Sequence, residues 1–574
     1  MPKLRITVLG GMEDFMYNIL IGGAAGQGID TTVTILEKLL KKSGYYVFST
    51  RDVMSRVRGG HNFSLIRFGT SEIMSHSDKL DGIIALNDET VLLHKDKLNQ
   101  EGFILCDSSL QTNDTHMIKL DMDKKAKELG NIRVAGSIAI GAILKLFGEN
   151  LEHVQTVFRE SIKDTYFEIN IKAVTVGFES VEKRFEHEDG TYKDWMLISG
   201  NKSLALGAVA AGLKFYSAYP MSPSTTIMEY LAHISAKVDI VVEQAEDEIA
   251  AINMAIGASF AGARAMTGTS GGGFCLKVEA LGLAGIAEIP LVAVDVQRPG
   301  PATGLPTRTE QSDLKFVISA AQGEFPRMVI ALRNHSDAFY QTARAFYIAE
   351  KYQIPVIILS DQYLADSTAT VKPFDLKKVE KYSQTELELY ANNLKDDENY
   401  LRYKFTDDGV SPRLIPGNPN HFVSADSDEH DEKGWITESA EMRIKMMDKR
   451  MKKLDNLREE LLEPEFIGNP DCETLLIGWG STYGAISEAI QILNNLNTVK
   501  YGALLFGDVY PLPKNRLIEK AAIANRIVNV EQNATGQLGS LIREVTGIQC
   551  TNSILKYDGR QISGEEIVNE IVNL

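Results

Sequence analysis

Cysteine is scarce in this sequence, with four residues in 574. Cys106, Cys275, Cys472 and Cys550 lie too far apart for the C-x-x-C spacing of metal and cluster sites, and they are too few for a disulfide framework. We therefore expect no iron–sulfur cluster held by this chain alone. The cysteine usage also favours a reducing, cytoplasmic location.

Long apolar runs and excess basic charge are missing too. No apolar stretch approaches the roughly 18 residues that a membrane-spanning helix needs, so the sequence predicts no membrane role. The formal net charge of -17 and the pI of about 5.2 are the opposite of a basic nucleic-acid-binding face, so we expect no nucleic-acid partner. Residues 1–11 show no export signal, and Met12 is an alternative start because the patterned sequence begins near Tyr17.

The length of the sequence and its alternating predicted strands and helices predict a multidomain α/β protein. A chain of 574 residues is too long for a single hydrophobic core and suggests about three or four domains. Predicted strands and helices alternate over most of the chain, which favours parallel sheets. We place the domains at 1–185, 186–370 and 470–574, with a charged insertion or connector at 371–469.

A glycine-rich segment follows the first predicted strand, Tyr17–Ile21, and precedes a predicted helix. It contains Gly23, Gly26, Gln27 and Gly28. Small residues before a helix N-terminus let backbone N–H groups approach an anion such as phosphate or carboxylate. The glycine order matches neither the dinucleotide motif G-x-G-x-x-G nor a P-loop. A tight strand-to-helix turn explains the glycines equally well.

Two arginines lie in the next loop, Ser55–His61, which leads to the predicted strand Phe63–Phe68. Arg56 and Arg58, beside two glycines, suit the binding of a phosphate, a carboxylate or a partner subunit. A solvated turn is the alternative. Because the chain returns directly to a strand, we expect a hairpin-like loop on a rigid frame.

Three polar loops follow predicted strands in the second domain. They contain Tyr219–Ser224, Gln244–Glu248 and Gln297–Thr307. The carboxyl ends of parallel strands meet at one edge of a sheet, where ligands bind in α/β proteins. The sequence therefore predicts a site at this edge, with Glu248 at a strand-to-helix junction.

The connector carries an acidic run, Asp426–Glu432, and a predicted helix, Met447–Leu462. The run could bind a divalent cation, but charge runs are more often solvated. In the third domain, Gln532–Leu538 is expected to open the last long helix.

Taken together, the motifs resemble one family over nearly the whole chain. They are Gly22–Gly28, Ser55–His61, Tyr219–Pro223, Gln244–Ala251 and Arg298–Thr307. The chain resembles the α subunit, fused behind a γ domain, of the 2-oxoacid:ferredoxin oxidoreductases, most closely the 2-oxoglutarate type. The resemblance implies a γ-type α/β domain, then a parallel-sheet domain that binds the pyrimidine of thiamine diphosphate, then an α/β domain like the C-terminal domain of transketolase.

The resemblance assigns the catalytic glutamate to Glu248, which would hydrogen-bond the aminopyrimidine ring of the cofactor. Glu246 and Asp247 are close rivals. Glu248 lies nine positions before Gly257, a spacing that matches the glutamate-to-glycine spacing in thiamine enzymes. A carboxylate that only stabilises a helix start fits Glu246 or Asp247 better.

The resemblance also assigns substrate contacts. Arg298 matches the arginine that binds the substrate carboxylate, a role that suits a planar guanidinium. Ser222 occupies a position that is often threonine in the family, so the hydroxyl is retained. Thr307 matches another substrate-side contact. Prolines in these loops could instead serve only to shape turns.

A CoA-dependent reaction with several partners is implied as well. The 2-oxoacid would be decarboxylated to acyl-CoA and CO₂, with electrons passing to ferredoxin, and reduced ferredoxin would permit the reverse carboxylation. A separate β subunit would supply the diphosphate-binding half of the site, Mg²⁺ and a [4Fe–4S] cluster, in an (αβ)₂ heterotetramer. The Gly22–Gly28 loop, Arg56 and Arg58 are candidates for coenzyme A phosphates or for the subunit interface.

Two alternative functions remain open from the sequence. A non-redox thiamine diphosphate enzyme would share Glu248 but should carry its own Gly-Asp-Gly motif with magnesium ligands, and this sequence has none. A non-catalytic nucleotide-binding scaffold would explain the glycine-rich segment alone. It would leave the spacing of Glu248 and Arg298 as coincidence.

Overall fold

The computed structural model describes residues 15–55, 60–383, 400–496 and 499–574. Its internal contacts divide the chain into two compact units. The first contains residues up to 198 together with 366–373 and 563–574, and the second contains 199–365 and 374–562. The predicted domain boundaries at 185, 370 and 469 stay predictions.

The first unit is built on an eight-stranded sheet with strand order β6-β5-β4-β1-β3-β2-β14-β7. Its strands are β1 Met16–Ala24, β2 Tyr46–Asp52, β3 His61–Gly69, β4 Leu80–Ala85, β5 Leu98–Asp107, β6 Met117–Leu120, β7 Met196–Ser199 and β14 Thr368–Val371. Its helices are α1 Ile29–Lys42, α2 Asp88–His94, α3 Met122–Glu128, α4 Ala135–Leu146, α5 Val154–Ser161, α6 Phe167–Phe178 and α20 Gly564–Asn573. Strands β1, β4, β5 and β6 are parallel, whereas β3 is antiparallel to both β1 and β2.

The predicted hairpin between the second and third strands is confirmed. Strands β2 and β3 pair antiparallel from Tyr46 opposite Gly69 to Asp52 opposite Phe63. Helix α1 lies where the sequence predicts it, because Ile29, Val33 and Leu36 recur at helical spacing and are buried.

The second unit contains a seven-stranded sheet with strand order β18-β12-β13-β11-β10-β8-β9. Its strands are β8 Phe215–Ala218, β9 Val241–Gln244, β10 Ala265–Thr269, β11 Leu291–Gln297, β12 Met328–Ala331, β13 Pro355–Asp361 and the antiparallel β18 Asp508–Tyr510. Its accompanying helices are α7 Gly200–Ala210, α8 Thr225–Val238, α9 Glu248–Phe260, α10 Gly271–Phe274, α11 Val278–Ile286, α12 Leu314–Ser319, α13 His335–Tyr352, α14 Gln362–Asp366 and α15 Lys377–Ser383. Strands β11 and β13 are buried along their whole length, as expected for central parallel strands covered on both faces.

A five-stranded sheet with strand order β15-β17-β16-β19-β20 completes the second unit. Its strands are β15 Glu465–Gly468, β16 Thr474–Trp479, β17 Tyr501–Phe506, β19 Arg526–Glu531 and β20 Asn552–Leu555. Its helices are α17 Thr482–Leu496, α18 Asn515–Ala521 and α19 Gln537–Thr546. All neighbouring strands are parallel except β15, which is antiparallel to β17. The predicted α/β class with parallel sheets is confirmed.

Two helix predictions were wrong in detail. The connector helix, α16, spans Ala440–Glu459, because Ser439 caps it by accepting a hydrogen bond from the Met442 N–H (3.3 Å). Helix α19 is not the last long helix, because Ser563 and Glu566 form a capping box that starts α20. Within the described ranges, no helix combines the length and the apolar character that a membrane crossing requires.

Candidate functional site

The polar loops of the second unit lie together at one edge of its sheet. Strands β9, β8, β10 and β11 are consecutive neighbours and run parallel. Their carboxyl ends therefore project the loops that begin at Tyr219, Ala245, Ser270 and Arg298 from the same side. This edge is the candidate site.

Glu248 differs from its acidic neighbours in burial. It is the first residue of α9 and only 3% exposed, whereas Glu246 is exposed. Asp247 is the N-cap, and its carboxylate accepts a hydrogen bond from the Ala250 N–H (2.7 Å). The Glu248 Oε1 atom is buried and accepts no hydrogen bond within the described part of the chain. A buried carboxylate oxygen without a partner is costly, so this atom is suited to bind a ligand group.

A turn of three glycines lies against Glu248. It forms α10, which follows directly after β10 and the buried Ser270. A Cβ atom on Gly273 would lie 2.6 Å from the Glu248 Oε1 and would also overlap the Thr269 hydroxyl. The site therefore requires glycine at position 273 for Glu248 to keep its position.

A buried lysine that the sequence analysis did not single out lies behind Glu248. Lys277 is 0% exposed, and its Nζ donates to the Thr267 Oγ1 (2.9 Å) and to the Glu248 backbone oxygen (3.2 Å). Burial lowers the pKa of Lys277 to about 8, although Glu248 and Asp247 oppose this shift by stabilising the ammonium. One sequence signal was present: Lys277 is an isolated cation in the apolar stretch 274–286.

Two further acids were also missed, Asp295, which is fully buried, and Asp313, which is half-buried. Asp295 is 0% exposed on β11, and neither carboxylate oxygen has a hydrogen-bond partner among the described residues. Burial and the nearby Asp313 carboxylate raise the pKa of Asp295 well above its usual value. Burial also raises the pKa of Asp313 to about 6. A Cβ atom on Gly271 would overlap the Asp313 carboxyl group, so the glycine turn lies next to a carboxyl group at both of its ends.

The structure brings Arg298 and Ser222 together. The Arg298 Nη1 donates to the Ser222 backbone oxygen (2.7 Å), so this bond uses the main chain and leaves the exposed serine hydroxyl unengaged by it. Partial burial lowers the pKa of Arg298. Thr307 lies half-buried further along the same loop, and no hydrogen bond of the described residues joins it to either partner.

The glycine-rich segment of the first unit forms an exposed turn at the start of α1. Gly26 and Gly28 have φ values of 93° and 80°, which favour glycine. The Gln27 side chain braces the turn, because its Oε1 accepts from the Ala24 N–H (2.6 Å) and its Nε2 donates to the Leu86 oxygen (3.1 Å). Gly23 is buried beside Leu86. The segment is therefore a turn held in place by the Gln27 side chain, and no atoms crowd the outer side of Gly26 and Gly28.

Arg56 and Arg58 lie outside the described residues. In the acidic run 426–432, Glu429 already binds two cations of this chain. Its Oε2 accepts hydrogen bonds from Arg443 (2.5 Å) and Arg450 (2.7 Å). Over the described ranges, no three His, Cys, Asp or Glu side chains are grouped like metal ligands.

Two family models match this chain. The model described as "Pyruvate flavodoxin/ferredoxin oxidoreductase, thiamine diP-bdg" matches residues 206–449, which include the candidate site. The model described as "Pyruvate ferredoxin/flavodoxin oxidoreductase" matches residues 18–180 of the first unit. The second unit therefore contains a thiamine diphosphate-binding domain.

Two relatives match this chain over different spans. A 2-oxoacid:ferredoxin oxidoreductase subunit alpha from Sulfolobus sp is 32% identical over 97% of this chain and 96% of its own length. The 2-oxoglutarate synthase subunit KorA from Archaeoglobus fulgidus is 32% identical over 66% of this chain and 98% of its own.

A solved structure shares the complete fold. It is described as the 2-oxoglutarate:ferredoxin oxidoreductase from Magnetococcus marinus with 2-oxoglutarate, coenzyme A and succinyl-CoA bound. It is 30% identical with a TM-score of 0.89, and the match covers 97% of this chain and 99% of that one. The resemblance seen in the sequence is thus confirmed over both units, and the alpha-subunit relatives imply a multi-subunit enzyme. This chain belongs to the alpha subunits of the 2-oxoacid:ferredoxin oxidoreductases.

Proposed function

We propose that this alpha subunit works in the CoA-dependent oxidative decarboxylation of 2-oxoglutarate to succinyl-CoA and CO₂. Two electrons pass to ferredoxin, and the reaction reverses as a reductive carboxylation when reduced ferredoxin is supplied. The choice of 2-oxoglutarate over pyruvate is supported by the subunit named KorA and by the ligands named for the Magnetococcus marinus enzyme.

The buried carboxylate of Glu248 carries this proposal. Its unpartnered Oε1 offers a hydrogen-bonding position for the aminopyrimidine ring of thiamine diphosphate, and Gly273 leaves room beside it. When bound, the cofactor supplies the nucleophilic carbon that attacks the 2-oxo group and accepts the electrons left by decarboxylation. Glu248 holds a shared proton at Oε1, so that the ring can activate that carbon. Glu248 is only 3% exposed at the start of α9, so bulk water has little access to its carboxylate.

Arg298 binds the carboxylate of the 2-oxoacid in this proposal. Its guanidinium is anchored by Nη1 on the Ser222 oxygen, which leaves its other donors for the substrate. The Ser222 hydroxyl and Thr307 provide further polar contacts at the substrate side of the loop. Because Arg298 is only partly buried, its charge is accessible to an incoming anion.

The turn containing Gly23, Gly26, Gln27 and Gly28 is proposed to bind the phosphates of coenzyme A, with Arg56 and Arg58. Its open face and the N-terminus of α1 support anion binding. Asp30 in the first turn of α1 opposes it, so the arginines are needed to make the region attractive to phosphate.

A β subunit completes the enzyme in this proposal. It supplies the diphosphate-binding half of the cofactor site, Mg²⁺ and a [4Fe–4S] cluster that passes electrons to ferredoxin, in a cytoplasmic (αβ)₂ heterotetramer. Exposed apolar residues beside the site support a partner surface here, since such groups are normally buried in an interface. They are Ile249, Met254 and Leu276.

The test is anaerobic, CoA-dependent reduction of a viologen dye by the chain copurified with its natural partner. We expect activity with 2-oxoglutarate and much less with pyruvate. Activity restricted to pyruvate would overturn the substrate assignment. Absence of activity with both oxoacids, with thiamine, iron and partner present, would overturn the proposed reaction.

The substitution Glu248→Gln tests the proposed role of Glu248. We expect a loss of turnover of about 10²- to 10⁴-fold, because glutamine cannot exchange the proton. Copurification of the partner should be unchanged. Glu246→Gln is the matched control, since Glu246 is exposed in the same loop, and it should retain wild-type turnover. Equal activity of Glu248→Gln and wild type would remove Glu248 from the mechanism.

A further inference from the structure

The five-stranded sheet of the second unit has a cleft of the kind that binds ligands in α/β proteins. Strand β17 follows β16 in the chain and lies on one side of it, whereas β19 lies on the other side. The strand order therefore reverses between β16 and β19, and the loops at the carboxyl ends of these two strands diverge. These loops begin at Gly480 and Gln532. The proposed reaction gives this cleft no role.

The side chain and main chain of Gln311 lie in this cleft. Gln311 is 0% exposed. Its Nε2 donates to the Trp479 oxygen at the end of β16 (2.8 Å), and its Oε1 accepts from the Gln532 N–H after β19 (3.3 Å). Its main-chain N–H donates to the Gln532 oxygen (2.7 Å), and its main-chain oxygen accepts from the Asn533 Nδ2 (3.1 Å). Each nitrogen and oxygen atom of Gln311 is thus bonded to a wall of the cleft.

The helix that starts at this cleft holds the residues that follow Gln311. Gln537 is the first residue of α19. Its Nε2 donates to the Ser312 oxygen (2.7 Å), and its Oε1 accepts from the Lys315 N–H (2.8 Å). The cleft and the adjoining helix start therefore bind residues 311–315 of the same chain.

This segment is the far end of the loop that carries Arg298. Gln297 comes directly before Arg298 and is 1% exposed. Its Oε1 accepts from the Asp313 N–H (3.0 Å), and its Nε2 donates to the Ser360 oxygen (3.0 Å). The two ends of the loop 298–312 are thus tied together. Because one end belongs to β11 and the other is fixed in the cleft, a shift of Gln311 displaces the base on which Arg298 stands.

We propose that Gln311 is a positioning residue for Arg298: it anchors the far end of the loop 298–312 between β16 and β19, and so holds the guanidinium where the 2-oxoacid carboxylate binds. This inference rests on the proposed role of Arg298. The five-stranded sheet then serves the substrate site as an anchor. Loss of the anchor weakens oxoacid binding equally before and during the reaction, so KM rises while kcat is nearly unchanged.

Steady-state kinetics of the complex with its copurified partner test this, with 2-oxoglutarate varied at saturating CoA. Gln311→Met keeps most of the side-chain volume but loses both side-chain hydrogen bonds, and Gln311→Ala also empties the space. We expect KM for 2-oxoglutarate to rise about 3- to 10-fold in both variants, the value of about one hydrogen bond. The kcat and the KM for CoA should stay within about twofold of wild type. An unchanged KM for 2-oxoglutarate in both variants would overturn the inference.

Asn494→Ala is the matched control. The Asn494 Nδ2 donates to the Tyr501 oxygen (3.0 Å) and its Oδ1 accepts from the Tyr501 N–H (2.9 Å), so it makes the same two kinds of bond as the Gln311 side chain. These bonds lie at the opposite end of the sheet, where β17 begins. Thermal unfolding should show lower stability for both Asn494→Ala and Gln311→Ala, but Asn494→Ala should keep the wild-type KM. An equal rise of KM in Asn494→Ala would make Gln311 a structural residue only.

Hydrogen exchange measured by mass spectrometry gives a readout of the loop that does not depend on activity. Amides of residues 298–313 should exchange faster in Gln311→Met than in the wild type, whereas amides of β17 should not. Unaltered exchange over 298–313 would show that Gln311 does not anchor the loop.

Arg298→Lys distinguishes failure of the inference from failure of the proposed function. If this variant has the wild-type kcat/KM for 2-oxoglutarate, the role of Arg298 fails, and that of Gln311 fails with it. If Arg298→Lys is impaired while both Gln311 variants keep the wild-type KM, only the inference about Gln311 is wrong.

Discussion

Three consecutive acids at the start of α9 lie in three different environments. Glu246 is exposed, Asp247 caps the helix, and Glu248 is buried with an unpartnered oxygen. A capping role was expected to fit Glu246 or Asp247, and the structure gives it to Asp247. A strand-to-helix junction rotates successive side chains to different sides, so adjacent carboxylates of similar chemistry differ in what they can do.

Arg298 offers a prediction at the same scale. Arg298→Lys keeps the charge but loses the planar fork, so kcat/KM for 2-oxoglutarate should fall by about 10- to 100-fold, the value of one or two charged hydrogen bonds. The measurement is steady-state kinetics with the oxoacid varied. Arg308→Ala, in the same loop, is the control and should leave kcat/KM nearly unchanged. Unaltered kcat/KM in Arg298→Lys would remove Arg298 from the substrate site.

Residues at the ends of strands are easier to single out from a sequence than charged residues inside apolar segments. Glu248 and Arg298 follow strands, and strand ends can be read from apolar runs. Lys277 and Asp295 interrupt apolar segments, where a charged residue is ordinarily interpreted as surface. Their burial depends on which strands become neighbours, and a single sequence does not contain that information.

At the scale of elements, the glycine turn α10 lies against the end of β10 and the start of α9, since a Cβ atom on Gly273 would overlap both Thr269 and Glu248. Three consecutive glycines disfavour a helix, so local propensity at 270–273 favours a loop. The structure forms one short turn there because the Phe274 side chain is fully buried and the Phe274 N–H donates to the Ser270 oxygen (2.8 Å). Tertiary packing therefore outweighs local propensity in this element.

Gly273→Ala tests this element. The added methyl group would overlap Thr269 and approach the Glu248 Oε1, so we expect Glu248 to shift, thiamine diphosphate to bind at least about tenfold more weakly, and stability to fall by about 1–3 kcal/mol. Binding is measured by titration of the cofactor-free complex, and stability by thermal unfolding.

Gly272→Ala is the matched control for this prediction. The nearest atom to its added methyl group would be the Ala302 oxygen at 3.7 Å, an ordinary contact. It should bind the cofactor like the wild type. If both variants bind equally well, the glycine at 273 does not maintain the position of Glu248.

At the scale of the second unit, a buried cluster around Glu288 joins the connector to the helices beside the sheet. Helix α16 contributes Lys449 and Lys453, and the Arg402 Nη2 donates to the Glu288 main-chain oxygen (2.8 Å). Burial alone would raise the pKa of Glu288, but Lys453 and Lys449 outweigh it and hold the pKa well below its usual value. The contribution of Glu288 to stability is therefore full at neutral pH and is lost as the pH falls through the acid range.

Glu288→Gln should destabilise the protein by about 3–5 kcal/mol at pH 7, because it leaves two buried ammonium groups without their counter-charge. Thermal unfolding measures the loss. Glu441→Gln removes an exposed ion pair with Lys445 and should leave the melting temperature nearly unchanged. Equal melting temperatures for Glu288→Gln and the wild type would show that the cluster does not stabilise the unit.

The first unit draws on three separate parts of the chain. Strand β14 lies between β2 and β7, where the Val47 N–H donates to the Thr370 Oγ1 (2.9 Å). Near the end of the sequence, Ser563 and Glu565 hydrogen-bond to Asp78 and Ser77. During synthesis, residues up to at least Glu565 must therefore leave the ribosome before this unit is complete. Until residues 368–371 emerge, the edge of β2 that pairs with β14 is unpaired, which makes the nascent protein a candidate client of chaperones that shield unpaired edges.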